Sequence, residues 1–262
     1  GTDVVTYYIG GDYEREEGVI DYNRLRQLNF RTNLRAQLSP TFTTTVTAGF
    51  LNSKVQLPQN DNNLIGIVGS GTNGLAFDCS PATPCGADTI SRGYGAGQEP
   101  SAFSALETLQ NVNRFTGGVS SNWQAKSWLT FNGQVGADIL SRVDEETAFP
   151  GRIFYDEDYF LGYRQDNRFL VGSYTANVGG TAAVALTPAI VSPPQKGVQY
   201  AAERRSGNFP LGYVLLPGTG SLEGTSDRFA VGNRNRANIT LGAYVQQQLA
   251  WRDRVFLTPG LR

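Results

Sequence analysis

From Asn29 to Leu38 the chain alternates without an error. Phe30, Thr32, Leu34, Ala36 and Leu38 fall on one side, and Asn29, Arg31, Asn33, Arg35 and Gln37 on the other. A period of two sustained this long predicts a strand with one apolar and one wet face. Ser39-Pro40 turns the chain, after which Phe42, Val46, Ala48 and Phe50 alternate with Thr43, Thr45, Thr47 and Gly49. The same period returns at Phe115, Val119 and Trp123, at Leu129, Phe131, Val135 and Ala137, and at Ile239, Leu241, Ala243, Val245 and Leu249. Weaker strands are expected at Val4–Tyr13, at Leu170–Val178, ending near Tyr200, and at Arg254–Leu261. About nine strands result.

Their length fits a membrane. Ten residues at ~3.3 Å each, tilted by ~45°, cover roughly 23 Å of bilayer. The expected connections alternate between tight turns (39–41, 124–127, 251–253) and long excursions (53–112, 141–168, 203–236), with a medium one at 14–28 and an ambiguous one near 186–190. Short turns at one rim and long loops at the other are the habit of outer-membrane barrels. A secreted β-sandwich is the rival, but its strands usually run five or six residues. The pattern therefore predicts an all-β fold: a transmembrane antiparallel β-barrel, here a partial barrel of about nine strands with long extracellular loops. Residues 1–262 are read as part of one barrel domain, with no convincing second domain boundary. Mean hydropathy, at −0.29, would suggest a chain indifferent to membranes. A barrel strand places a polar residue at every second position, so the average conceals it. No run is long enough for a membrane helix, and no signal peptide is expected within these residues.

Composition narrows the chemistry. Charged residues make up 17% and the net charge is −1, with no basic stretch, so a nucleic-acid partner is not expected. Histidine is absent, which removes Ser-His-Asp and Cys-His catalysis and His-ligated zinc. The chain is not expected to be an enzyme, and no cofactor is expected. Methionine is absent too, so residue 1 is not expected to be a translation start.

Four blocks carry a resemblance. "YYIGGDYEREEGV" (7–19), the run from Asn29 to Asn63, "NRFTGGVSSNWQAKSWLTFNGQVGAD" (113–138) and "LGAYVQQQLAWRDRVFLTPGLR" (241–262) look like barrel strands of SusC/RagA-like TonB-dependent outer-membrane receptors. The resemblance runs over nearly the whole chain and is weak through the loops. It implies a parent protein in the bacterial outer membrane with an N-terminal plug and a 22-stranded barrel, of which this chain is the middle. It also implies energy from the TonB system through the missing N-terminal part, and a possible SusD-like lipoprotein lid. These motifs specify architecture and are nearly silent on cargo.

Candidate sites lie mostly in the loops. The segment from Asp144 to Tyr163 crowds six carboxylates with Phe154, Tyr155, Tyr159, Phe160 and Tyr163. Tyr155, Asp156, Asp158, Tyr159 and Tyr163 are its candidate substrate-binding residues, since rings and acids at a pore mouth suit sugars or peptides, or oxygen-ligated calcium. An aromatic girdle with a solvated rim explains the same composition. Glycoside hydrolysis by paired carboxylates needs a fixed separation that the sequence does not supply. On the strands, Arg31, Asn33, Arg35, Gln134 and Gln246 are expected to face the lumen, and Phe30, Leu34, Leu38, Phe131, Val135, Leu241 and Val245 the lipid bilayer. Gly69, Gly71 and Gly74 spell a dinucleotide-like pattern, but the prolines and cysteines that follow cannot open the required helix; an irregular loop is expected. Pro100–Leu109 is expected to form a short helix over the mouth, with Phe103, Leu106 and Leu109 on one side. Asn238-Ile239-Thr240 matches a glycosylation sequon inside a strand. Cys79 and Cys85, in "CSPATPC", are expected to form a disulfide in an oxidising compartment, with free thiols or a half-filled metal site as rivals.

Two functions of different classes stand. One is energised import of a bulky nutrient: an oligosaccharide, peptide or chelate. The other is a passive porin-like pore wall or a non-transport β-rich surface assembly.

Overall fold

The computed structural model describes residues 1–262 apart from 3, 21, 60–65, 73–103, 154–156, 188–189, 252–253 and 262. Nine strands form one antiparallel sheet: β1 (Val5–Glu17), β2 (Arg24–Ser39), β3 (Phe42–Leu57), β4 (Leu106–Lys126), β5 (Leu129–Ala148), β6 (Tyr163–Ala182), β9 (Pro194–Leu215), β10 (Thr225–Gln247) and β13 (Gly260–Leu261), in that order across the sheet. β7 (Val184–Thr187), β8 (Ile190–Ser192), β11 (Leu249–Trp251) and β12 (Val255–Leu257) make a small second sheet at the tight-turn end. The large sheet does not close, and β1 and β13 are its edges. It is a partial barrel. No helix among the described residues is long and apolar enough to cross a membrane.

Register sorts the side chains. Leu34 stands opposite Val46, Val46 opposite Val119, and Val119 opposite Val135. Phe30, Phe50, Phe115 and Ile139 form a second apolar row, and Phe42, Trp123 and Phe131 a third near the tight turns. There the Trp123 and Phe131 rings stack with centroids 5.7 Å apart. Lys126 sits over Trp128 in the adjoining turn. On the opposite face the rows are polar: Arg31–Gly49–Thr116–Asp138–Ser173 and Arg35–Thr45–Ser120–Gln134–Asn177. From Phe42 to Phe50 a strand climbs about 26 Å at ~3.3 Å per residue, or about 20 Å after a ~40° tilt. The apolar face ends at the row Asn52–Asn113–Ser141, where Asn52 donates a side-chain hydrogen bond to Asn113 at 2.7 Å.

The strands do not end where that face ends. β3, β4, β5, β6, β9 and β10 pair on past it, so the expected excursions 53–112, 141–168 and 203–236 contract to 58–105, 149–162 and 216–224. Beyond the apolar rows both faces carry polar side chains, so the alternation disappears and backbone pairing continues without it. Two further expectations are corrected. Leu106–Leu109 lies in β4, not in a helix, because Thr108 pairs with Leu57 and Glu146; the three-residue spacing of Leu106 and Leu109 mimics a helical stripe, and cross-strand partners override it. Residues 100–103 lie outside the described residues. Arg254–Leu261 is split by Pro259, whose carbonyl accepts the Gln247 N–H at 2.9 Å, so Val255–Leu257 joins the small sheet and Gly260–Leu261 joins β10.

The glycine-rich pattern also differs from its expectation. Ile67–Thr72 forms one helical turn, α1, that takes in Gly69 and Gly71, and Gly74 lies outside the described residues.

Candidate functional site

At the long-loop end, the connection 149–162 folds back across the polar face of β4, β5 and β6. It carries one short helical turn, α2 (Glu157–Phe160), and drives Ile153 into a small core with Ala105, Leu106, Ala148 and Tyr163, where Leu106 and Ile153 have essentially no exposure. Tyr159, Leu211 and Tyr213 close over it. Tyr159 meets Tyr163 edge-on with centroids 5.1 Å apart, and Tyr163 meets Tyr213 at 5.4 Å. Gly162 permits the return into β6: its φ is +97°, and a β-carbon there would lie 2.6 Å from Cβ of Leu215. An L-residue would be strained on both counts.

The strand period separates the acids that the sequence crowds together. Asp144 and Glu146 share the polar face with Gln110, Arg142 and Gln165, whereas Glu145 points to the other side. Arg142 binds Asp144 through Nε at 2.8 Å, and Gln110 donates to the same carboxylate at 3.1 Å. Glu146, five residues beyond Ser141 and so above the apolar face, is half-buried; burial pushes its carboxyl up from the ordinary range, and a hydrogen bond from Gln59 partly opposes this. Burial raises the Tyr163 phenol as well, with the Glu146 charge adding to it. Tyr163 donates to Gln165 at 2.6 Å, which fixes its ring along β6.

On the other side of the same strands Arg164 is nearly sealed. Its Nε lies 2.5 Å from Asp166, another of its guanidinium nitrogens lies 3.2 Å from Glu145, and Nη1 donates to Thr147 at 2.7 Å. The closest contact pairs the charges without hydrogen-bond alignment.

Just above the apolar rows, and again on the polar face, a chain of rings and cations crosses four strands. Arg142 lies 5.7 Å over Phe169, Phe169 packs edge-on against Phe209 at 5.3 Å, and Arg234 lies 5.8 Å over Phe209. Arg–aromatic contacts of this kind contribute about 0.5–2 kcal/mol each. The sequence signal for this cluster was the alternation Phe169–Val171 and Gly207–Phe209, which only the β6–β9 register turns into a contact. The wall below it is cleft, with a volume of about 690 Å³ lined by Arg31, Asn33, Arg114, Gln134 and Asp138 among others. Arg114 grips Asp138 through Nε at 2.8 Å.

Among the substrate-binding candidates, Tyr159 and Tyr163 are brought together, Asp158 is exposed beside Tyr159 in α2, and Tyr155 and Asp156 lie outside the described residues. Arg31, Asn33, Arg35, Gln134 and Gln246 all share the polar face. Among the described residues no group of three or more acidic or other ligating side chains is placed to hold a metal ion. Cys79 and Cys85 lie outside the described residues.

No protein-family model matches the sequence, and no curated protein matches it. Solved structures do. The RagAB peptide importer in its open-open state matches with a TM-score of 0.75 at 14% identity, over 98% of this chain and 29% of that one. Its closed-closed state gives 0.71 at 12% identity, over 98% and 30%. The ferric-catecholate import receptor Fiu from E. coli K12 gives 0.54 at 14% identity, over 99% and 40%. The chain thus has the fold of SusC/RagA-like TonB-dependent receptor barrels, and spans about 30% of the length of the RagAB chains it matches.

Proposed function

We propose that this chain forms part of the barrel wall of a TonB-dependent outer-membrane receptor that imports a bulky nutrient. The observation that carries the reading is the two-faced sheet itself: eight long strands and the short β13, apolar rows on one side and charged, amide-bearing rows on the other, open at β1 and β13, and alike in fold to the RagAB structures over 98% of this chain. Unpaired backbone groups cost several kcal/mol each in hydrocarbon, so both edges call for further strands. In this reading the apolar face contacts lipid. Arg31, Asn33, Arg35, Gln134 and Gln246 face the lumen, and the connections 58–105, 149–162 and 216–224 are extracellular. The tyrosine-lined mouth, with Tyr155, Asp156, Asp158, Tyr159 and Tyr163, and the Arg142–Phe169–Phe209–Arg234 chain below it are the cargo contacts. A plug and a TonB-binding segment precede residue 1, and a SusD-like lipoprotein caps the mouth. RagAB imports peptides and Fiu a ferric catecholate, and both belong to the proposed nutrient classes.

A passive pore is the competing reading. Planar-bilayer conductance of the intact protein separates them: a plugged receptor stays electrically silent until the plug is removed or unfolded. Steady open-channel current from the untreated protein would reject the import reading.

A further inference from the structure

We infer that Arg204, on the apolar face, is a binding site for the phosphate of a membrane-lipid headgroup. The inference rests on the reading that this face meets the bilayer. Between the row Phe42–Trp123–Phe131 and the row Asn52–Asn113–Ser141, the apolar face carries two charged side chains among the described residues, Lys196 and Arg204, and no carboxylate. Each stands at one edge. Lys196 shares the row of Phe131, Gly180 and Val245, near the tight turns; Arg204 shares the row of Ile139, Gly172 and Ala237, next to the polar row of Ser141, Ser206 and Asn235. From Lys196 to Arg204, β9 rises about 20 Å along the barrel axis after tilt, and the reach of the two side chains brings their charges to about the ~25 Å of an outer-membrane apolar band. A cation placed mid-band would cost about 2–4 kcal/mol, whereas one at the interface costs about 0–1. The edge positions are those at which lipid phosphates lie.

The surroundings of Arg204 are shaped for a ligand. Its cross-strand neighbours Gly172 and Ala237 are small, and they leave a cleft of about 570 Å³ walled by Ile139, Leu170 and Tyr174. The Tyr174 ring folds back over Gly172, its hydroxyl 3.0 Å from where a β-carbon on that glycine would lie. Tyr174 and Arg204 thus line the same cleft. A second cleft of about 390 Å³ continues past Leu170, Ser206 and Asn235 to Arg168. Arg204 makes no ion pair among the described residues, unlike Arg114, Arg142, Arg164 and Arg205. A planar fork of donors beside a hydroxyl suits a phosphate, and the apolar walls below suit the attached acyl chains.

The test is native mass spectrometry of the intact, delipidated receptor titrated with phosphatidylglycerol, with inorganic phosphate as a separate arm. Wild-type protein should retain one tightly held lipid. Arg204→Gln should weaken it by about tenfold, the effect of losing a charge-assisted hydrogen bond; Arg204→Lys should weaken it less, and Arg152→Gln, in the connection 149–162 and outside the cleft, should leave it unchanged. Equal lipid retention by wild type and Arg204→Gln would overturn the inference, as would displacement of the lipid by inorganic phosphate at equal affinity. Heat-modifiable gel migration of each variant, the mark of a folded membrane barrel, is read in parallel. Its absence in the wild type would defeat the barrel reading itself, whereas a folded barrel with an indifferent Arg204 defeats only this site.

Discussion

The same strands live in two environments. Below the row Asn52–Asn113–Ser141, β3, β4 and β5 have one apolar face and one polar face, and stability there depends on which face a side chain takes. Above that row both faces carry polar side chains, and stability depends on pairing: Arg164 with Asp166 and Glu145, Arg142 with Asp144, and a core around Leu106 and Ile153. A chain can thus carry a strand through a change of solvent by exchanging an alternation of hydrophobicity for a network of named partners.

The largest expected effect tests the upper region. Arg164→Met leaves Glu145 without its cation, and Asp166 with only the more distant Arg168 at 3.9 Å, in a site where Arg164 and Asp166 are about a tenth exposed. Removing one member of a buried pair costs about 3–5 kcal/mol. Limited proteolysis should show cleavage in 149–162 and 216–224, with the membrane rows intact. A variant as protease-resistant as wild type would show that the network is dispensable.

Next comes the lower region. Leu34→Arg, in the middle of the apolar face, should destabilise by about 2–4 kcal/mol in a bilayer, and Gln134→Arg, on the polar face of the neighbouring rows, by less than about 1. Urea unfolding from phospholipid vesicles measures both. Equal costs would mean that the two faces are not solvated differently.

A smaller effect concerns pH. Burial raises the Glu146 carboxyl in the folded state, so between its unfolded and folded values the folded protein binds more protons than the unfolded one. Stability should therefore fall as pH rises through that window, upward from the ordinary glutamate range. Glu146→Gln should remove this slope. A slope that survives the substitution would place the titrating group elsewhere.

The smallest concerns Cys79 and Cys85. We expect a disulfide there. It closes so short a loop that its stabilisation should be about 2 kcal/mol at most and local. Mass spectrometry of unreduced, alkylated protein should find neither cysteine modified, and reduction should leave the unfolding of the strands unchanged. Two alkylated cysteines would sink the pairing.

Much of the fold was legible from residue types alone. The faultless alternation at Asn29–Leu38, and its echoes near Phe115, Phe131 and Leu241, fixed which strands exist and which side chains share a face, because a strand's period of two is a property of the single chain. It also marked the extent of the apolar face, since only there do the two sides of the sheet carry opposite residue types. It could not mark the ends of the strands, because above Ser141 both faces meet the same solvent and no period is required. Nor could it reveal the mouth. Leu106, Ile153 and Tyr163 come from three separate segments and become a core only when 149–162 folds onto the paired β4, β5 and β6. The contact of Phe169 with Phe209 and the shared cleft of Arg204 and Tyr174 depend likewise on strand register. Register is set by every cross-strand pair at once, so only the assembled sheet decides it.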